Sequence, residues 1–214
     1  MTRARILMAD DHLVVLQGLR RILDRPEFEV AGAVQDGRAL VEAVATLKPD
    51  VIIADISMPL LNGVEALRQI RKQNSRVKVI FLSMHSEAIY AVEAMKAGAS
   101  GYLMKSADDR ELLTVINSVL AGGTYVTPSL AGPVLNRLRS QRQSPHEMVA
   151  ALTDRQREIL QLLAEGKQAK EIAALLNISR RTVEFHKYRI METLGIRTVA
   201  GLAAYAATHG IILA

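Results

Sequence analysis

The sequence predicts an α/β fold, a doubly wound five-stranded parallel sheet, followed by a smaller all-α domain of four helices. Three observations point to it. Over the first 125 residues, short apolar runs rich in β-branched residues alternate five times with helical patterns, which calls for a parallel sheet covered on both sides. After a polar stretch, apolar periodicity restarts near residue 150 as helices only. The charge divides with the pattern: residues 1–128 hold 15 Lys/Arg against 15 Asp/Glu, and residues 129–214 hold 12 against 7. The whole formal excess of +5 therefore lies in the last two-fifths of the chain, where a polyanionic partner is expected.

Composition sets the outer bounds. Half of the 214 residues are hydrophobic, enough for packed cores. The absence of cysteine excludes disulfides, a thiolate nucleophile and Cys-based zinc sites. No apolar run reaches membrane-spanning length, and Met1–Arg5 has no apolar signal-peptide core, so a soluble, cytoplasmic protein is expected.

Taken in order, Arg5–Ala9 reads as a buried strand ending in Asp10-Asp11. A helix follows with Leu13, Leu16, Leu19 and Leu23 at helical spacing. Phe28–Val34 is the second strand, and Ala39–Leu47 a helix that stops before Pro49. Val51-Ile52-Ile53-Ala54, four apolar residues of which three are β-branched, reads as a strand buried on both faces. It delivers Asp55, and a loop with Pro59 and the Asn62-Gly63 turn signal leads to a helix over Val64–Ile70. Val77–Leu82 is the fourth strand, Ala88–Ala97 a helix ended by Gly98, and Gly101–Met104 the fifth strand. The fifth helix opens at Asp108-Asp109-Arg110-Glu111, with capping-box spacing, and is expected to bury Leu112, Ile116, Val119 and Leu120.

Chemistry gathers at the carboxyl ends of strands in such sheets. The first strand brings Asp10 and Asp11 there, the third Asp55, the fourth Ser83 and the fifth Lys105. Singly each has a duller explanation: a loop or helix cap, a strand-end hydroxyl, a surface lysine. Together they form a coherent site. Three carboxylates, a backbone carbonyl and water suit Mg²⁺, a hard ion that prefers oxygen ligands. A carboxylate can accept a phosphoryl group, and the ion and Lys105 would neutralise the charge developing in that transfer. Ser83 could then bond the new phosphoryl oxygen.

The Asp10-Asp11 pair, Asp55 with Met58-Pro59, Ser83, Lys105 and the run Ala97–Lys105 resemble a response-regulator receiver domain across residues 1–125. The resemblance implies a flavodoxin-like fold and phosphorylation of Asp55 by a sensor histidine kinase. It also implies Mg²⁺ on Asp10, Asp11, Asp55 and the Ser57 carbonyl, with Ser83 and Tyr102 as a switch pair. Serine at 83 stands where threonine is also usual, and Ser106 follows Lys105 where many receivers have proline.

Residues 126–149, with the polar run Ser140–Glu147, read as linker. From 150 onwards Thr153 and Gln156 have capping-box spacing ahead of an apolar stripe of Ile159, Leu160, Leu162 and Leu163, ended by Gly166. A short helix over Ala169–Leu176, the turn Asn177-Ile178-Ser179 and a longer helix to about Leu194 make a helix-turn-helix, with Ser179 as N-cap and Gly195 as stop. Val183, Ile190 and Leu194 share the inner face of the longer helix. Arg180, Arg181, Thr182, Glu184, Lys187 and Tyr188, with Lys170 from the preceding helix, are the candidate contacts to double-stranded DNA. A charged face alone would also suit a helix that merely meets solvent; turn spacing, N-cap and regional charge favour DNA. Leu152-Thr153, Arg155, Gly166, Lys170–Ala173, Ile178-Ser179, Thr182-Val183, His186 and Leu194-Gly195 resemble a LuxR-type helix-turn-helix. Gln156 replaces the usual Glu, and Thr193 stands where Lys often precedes Leu-Gly. The joint architecture is similar to the NarL/FixJ response regulators, which implies a transcription factor acting on promoter DNA, in cooperation with a kinase. The final helix, Val199 to about Thr208, presents Val199, Leu202, Ala203 and Ala206, a stripe that burial within the monomer explains by default; the resemblance implies that this helix also pairs with its mate, giving a homodimer on paired half-sites.

Two other functions compete. A phosphohydrolase using Asp55 as nucleophile would need a general acid, and Ser57 two residues on serves poorly in that role. A constitutive DNA binder with an inert first domain leaves the acidic, hydroxyl and lysine set unused.

Overall fold

The computed structural model of the chain describes residues 3–73, 76–140 and 152–212. It divides into two compact units, Met1–Arg139 and Ser140–Ala214.

In the first unit, β1 (Ala4–Ala9), β2 (Phe28–Val34), β3 (Val51–Asp55), β4 (Lys78–Ser83), β5 (Gly101–Met104) and β6 (Tyr125–Val126) form one parallel sheet in the order β2-β1-β3-β4-β5-β6. Side chains alternate across it, as a strand's two-residue period requires. Ile6, Met8, Val51, Ile53, Ile80 and Leu82 pack on one face with α1 (Leu13–Ile22) and α5 (Asp109–Leu120). Leu7, Ala9, Ile52, Ala54, Val79 and Phe81 pack on the other with α2 (Gly37–Leu47), α3 (Gly63–Gln73) and α4 (Ala88–Lys96). The doubly wound parallel sheet expected from the sequence is therefore present.

It is wider than expected. The first part of the segment read as linker is β6 and then α6 (Pro128–Ser140), so the sheet has six strands rather than five. Thr127 holds the added strand: its N–H donates to the Tyr102 carbonyl at 3.0 Å, and its hydroxyl accepts from the Met104 N–H at 3.2 Å. Leu130 and Val134 of α6 then enter the core on the α2–α4 face. A two-residue strand has no period to read, and Gly132 and Pro133 mask the helical one. The rest of the polar run, from Gln141 to Glu147, lies outside the described residues.

Two details of α1 and α5 also differ. Leu120 is 37% exposed rather than buried, because Leu112, Val115, Ile116 and Val119 already fill the inward stripe, and Leu13 in the first turn of α1 is exposed. Only half of the capping box at Asp108 forms. Its carboxylate accepts from the Glu111 N–H at 2.8 Å, but Glu111 takes the Tyr125 hydroxyl at 2.6 Å instead of reaching back.

Among its described residues the second unit has four helices, α7 (Asp154–Ala164), α8 (Ala169–Leu176), α9 (Arg180–Leu194) and α10 (Val199–Thr208). Thr153 and Gln156 complete the expected capping box on α7. The α8–α9 turn closes because Asn177 takes a left-handed backbone (φ 50°) and the Ser179 hydroxyl accepts from the Thr182 N–H at 3.0 Å. Ile159, Leu160, Leu162, Ile172, Val183, Ile190, Leu202 and Ala206 make its core. Val199 departs from its expected stripe and is 43% exposed, since it opens the first turn of α10. Among the described residues no helix is long and apolar enough to cross a membrane.

Candidate functional site

β1 and β3 lie side by side, with Ala9 opposite Ala54, and the chain leaves them towards opposite edges of the sheet. Such a reversal of strand order opens a crevice at the carboxyl ends. Asp10 sits just beyond β1, Asp55 ends β3, and Lys105 follows β5 with its N–H donated to the Ser83 carbonyl at 2.8 Å. The lysine side chain crosses the rim, placing Nζ 2.7 Å from Asp10 Oδ2 and 2.9 Å from Asp55 Oδ2. The Ser57 backbone N–H also bonds the Asp55 carboxylate. The loop after β3 is tight: Leu60 is left-handed (φ 67°), and a Cβ on Gly63 would lie 2.3 Å from the Asp55 carbonyl oxygen. Only glycine lets α3 begin so close to the acidic rim.

Burial raises the Asp55 carboxyl above its ordinary value, against the hydrogen bond and charge of Lys105 and with the repulsion of Asp10. Burial pulls Lys105 the other way, yet its hydrogen bonds and attraction to Asp10 and Asp55 outweigh that and hold the ammonium above its ordinary value. The two directions reflect a shortage of positive charge: one ammonium is shared by two carboxylates whose side chains are 1% and 7% exposed.

Oxygens of Asp10, Asp11 and Asp55 and a His12 nitrogen lie within 4.8 Å of one another, a cluster able to hold a metal ion. Asp10 Oδ2 and Asp11 Oδ1 are buried, and their protein partners are Lys105 Nζ at 2.7 Å and His12 Nδ1 at 2.8 Å. Three carboxylates converging on one point, with a single ammonium between two of them, fit a hard divalent cation such as Mg²⁺. His12 was not legible as a neighbour of this cluster, because a lone histidine opening a helix carries no spacing signal.

Ser83 and Tyr102 are both wholly buried and meet through one backbone unit. The Ser83 hydroxyl accepts from the His85 N–H at 3.1 Å, and the Tyr102 hydroxyl donates to the His85 carbonyl at 3.0 Å. Burial, eased by a hydrogen bond with Ser83, pushes the phenol up to about 12. Asp10, Asp11, Asp55, Ser83, Tyr102 and Lys105 thus come to one rim.

In the second unit Val183, Ile190 and Leu194 turn inward on α9, as expected. Arg180 and Arg181 are exposed, as is Lys170 on α8, and Tyr188 is 65% exposed. The other candidates are partly engaged. The Thr182 hydroxyl lies 2.8 Å from that of Ser179, and Lys187 is ion-paired with Glu184 while its Nζ stands 5.1 Å from the Tyr188 ring centre. Phe185, also 59% exposed, was missed, because a phenylalanine inside a helix ordinarily reads as core.

Residues 6–117 match the response regulator receiver domain, and residues 150–206 match the luxR family of bacterial regulatory proteins. The chain is 34% identical over 211 residues to the transcriptional regulatory protein MctR of Rhizobium johnstonii, across 98% of this chain and 96% of that protein. In fold it is similar to the two-component response regulator RcsB solved with DNA, at a TM-score of 0.61 and 26% identity over 97% of this chain and 99% of that one. A structure of two RcsB dimers bound to two parallel DNAs matches with the same TM-score, identity and coverage.

Proposed function

This chain belongs to the response regulators that join a receiver domain to a LuxR-type DNA-binding domain, and we propose that within it Asp55 is the phosphoacceptor through which a sensor histidine kinase controls promoter binding. It is a two-component transcription factor rather than a metabolic enzyme. What supports the assignment of Asp55 is the meeting of Asp10, Asp55 and Lys105 within 2.9 Å at the reversal of strand order.

A carboxylate oxygen of Asp55 attacks the phosphorus of a phosphohistidine on the kinase. The P–O bond forms as the P–N bond breaks, the electron pair leaves with the imidazole, and Asp55 becomes an acyl phosphate. Asp10, Asp11, Asp55 and the Ser57 carbonyl would hold Mg²⁺, which when bound supplies positive charge to the phosphoryl oxygens. Lys105 adds its ammonium at the same oxygens and then pairs with the phosphate. Ser83 donates its hydroxyl to a new phosphoryl oxygen, which draws on the His85 backbone that Ser83 shares with Tyr102. The rim thereby gains two arrangements, and phosphate favours one of them by its difference in affinity for the two.

In the second domain α9 enters the major groove. Arg180, Arg181 and Lys170 meet phosphates, while Thr182, Glu184, Lys187 and Tyr188 face the DNA beside them. Two copies bind paired half-sites as a homodimer, in the cytoplasm where promoter and kinase output meet. Gel-shift titration of the full chain with a small phosphodonor and Mg²⁺ tests this. Wild type gains about tenfold in affinity on treatment, the usual scale of a coupling of ~1.4 kcal/mol; Asp55→Asn binds DNA but gains nothing. Equal affinities for both proteins in all conditions would overturn the switch.

A further inference from the structure

Phe185 is the largest apolar side chain of α9 left in the open, 59% exposed on a helix whose inward stripe is already complete. At 3.6 residues per turn, Arg181, Phe185 and Tyr188 fall within about 60° of one another, opposite Val183, Ile190 and Leu194. The phenyl ring therefore stands on the outer face of α9, between an exposed guanidinium and an exposed phenol along the axis. Its one aromatic neighbour among the described residues is His186, edge-on at 5.6 Å.

We propose that Phe185 reads the methyl group of a thymine in each half-site. The inference rests on α9 being the helix that enters the major groove. A phenyl ring has no donor, no acceptor and no charge, so it can neither hold a phosphate nor read a hydrogen-bonding edge. In the major groove the apolar group on offer is the C5 methyl of thymine; cytosine presents only a hydrogen there. The neighbouring polar groups are poorly placed to supply the same information. Glu184 and Lys187 neutralise each other, and Thr182 is tied to Ser179. A ring that loses its water against a methyl gains free energy at one base identity and not at the others, which makes Phe185 a residue of specificity where Arg180, Arg181 and Lys170 supply affinity.

The test uses the full chain. A preferred duplex is selected from a randomised pool, and each thymine in it is replaced in turn by deoxyuridine, which keeps every hydrogen bond and removes only the methyl. Wild type is expected to lose about fourfold in affinity at one thymine per half-site, the equivalent of one buried methyl at ~0.8 kcal/mol. Phe185→Ala, an exposed change to a better helix former, should bind the thymine and deoxyuridine duplexes equally at that position. Tight binding by wild type with no deoxyuridine penalty anywhere overturns the inference and leaves the DNA-binding function standing. So does an unchanged penalty in Phe185→Ala, or a variant whose DNA affinity is intact while only transcription falls, which would give the ring to a protein partner. Selection of no duplex at all would overturn the inference and the function together.

Discussion

Asp10 and Asp55 share one ammonium, and that scarcity governs the chemistry of individual residues at the rim. A carboxyl whose folded-state value is raised contributes stability that is full below its unfolded value and is lost as pH rises through the folded one. Once ionised, the buried Asp55 is therefore a burden. Asp55→Asn should raise the urea midpoint of the receiver transition at pH 7 in the absence of divalent ions, and a lower midpoint would show that Lys105 fully compensates the burial. Millimolar Mg²⁺ should raise the wild-type midpoint by mass action and leave Asp10→Asn where it was. Removing the ammonium acts in the opposite sense: Lys105→Ala leaves two buried carboxylates facing each other, a loss on the order of 3 kcal/mol. Tyr102 titrates at the other end of the scale. Its phenol is raised from 10 to about 12, so the stability it contributes is complete below pH 10 and disappears between pH 10 and 12. Over that window the wild type should lose about 2 kcal/mol more than Tyr102→Phe, read by urea unfolding at the two limits. Asp10, Asp11, Asp55, Ser83 and Lys105 were legible in the sequence because a parallel sheet sends all its carboxyl ends to one rim. His12 and Phe185 were not, since neither spacing nor residue type distinguishes an edge histidine or an exposed ring from ordinary ones.

Elements were legible where burial imposes a period and illegible where it does not. Residues 6–9 of β1, 51–54 of β3 and 79–82 of β4 are buried on both faces and read as unbroken apolar runs. β6 has two residues and is held from outside itself, by Thr127 and by pairing to Gly101 and Tyr102, so no pattern within it could reveal it. The start of α3 is the element boundary on which the site depends most. Its Gly63 N–H donates to the Ile56 carbonyl at 2.8 Å, and a Cβ would meet the Asp55 carbonyl oxygen at 2.3 Å and the Phe81 ring at 2.7 Å. Because one of those obstacles is backbone, Gly63→Ala must displace the loop that carries Asp55. The expected cost is about 2 kcal/mol, in the range of overpacking, seen as a lower melting temperature. Labelling of Asp55 by a small phosphodonor should slow as well. A variant that melts lower but labels at the wild-type rate would mean that the displaced backbone relaxes away from the rim.

At the scale of the whole molecule the uneven charge assigns the polyanion to the second unit. Residues 1–128 carry no net charge, so attraction to DNA has to come from the cations that follow. Of the candidates, Lys170, Arg180 and Arg181 are exposed, whereas Lys187 is ion-paired with Glu184 and adds less. Each phosphate neutralised releases counterions and steepens the fall of log affinity with log salt by about 0.9. For the dimer proposed above, three contacts per copy would set a slope of about −5. Arg181→Ala, which removes one contact from each copy, should flatten it by about 2 and weaken binding to every duplex alike. Phe185→Ala should leave the slope untouched and change only the order in which duplexes are preferred, because a methyl contact displaces no ions. Measured side by side on the full chain, the two variants separate attraction from reading. If Arg181→Ala instead altered the preference among duplexes while the salt slope held, the guanidinium would lie on a base edge and the division of labour along α9 would be reversed.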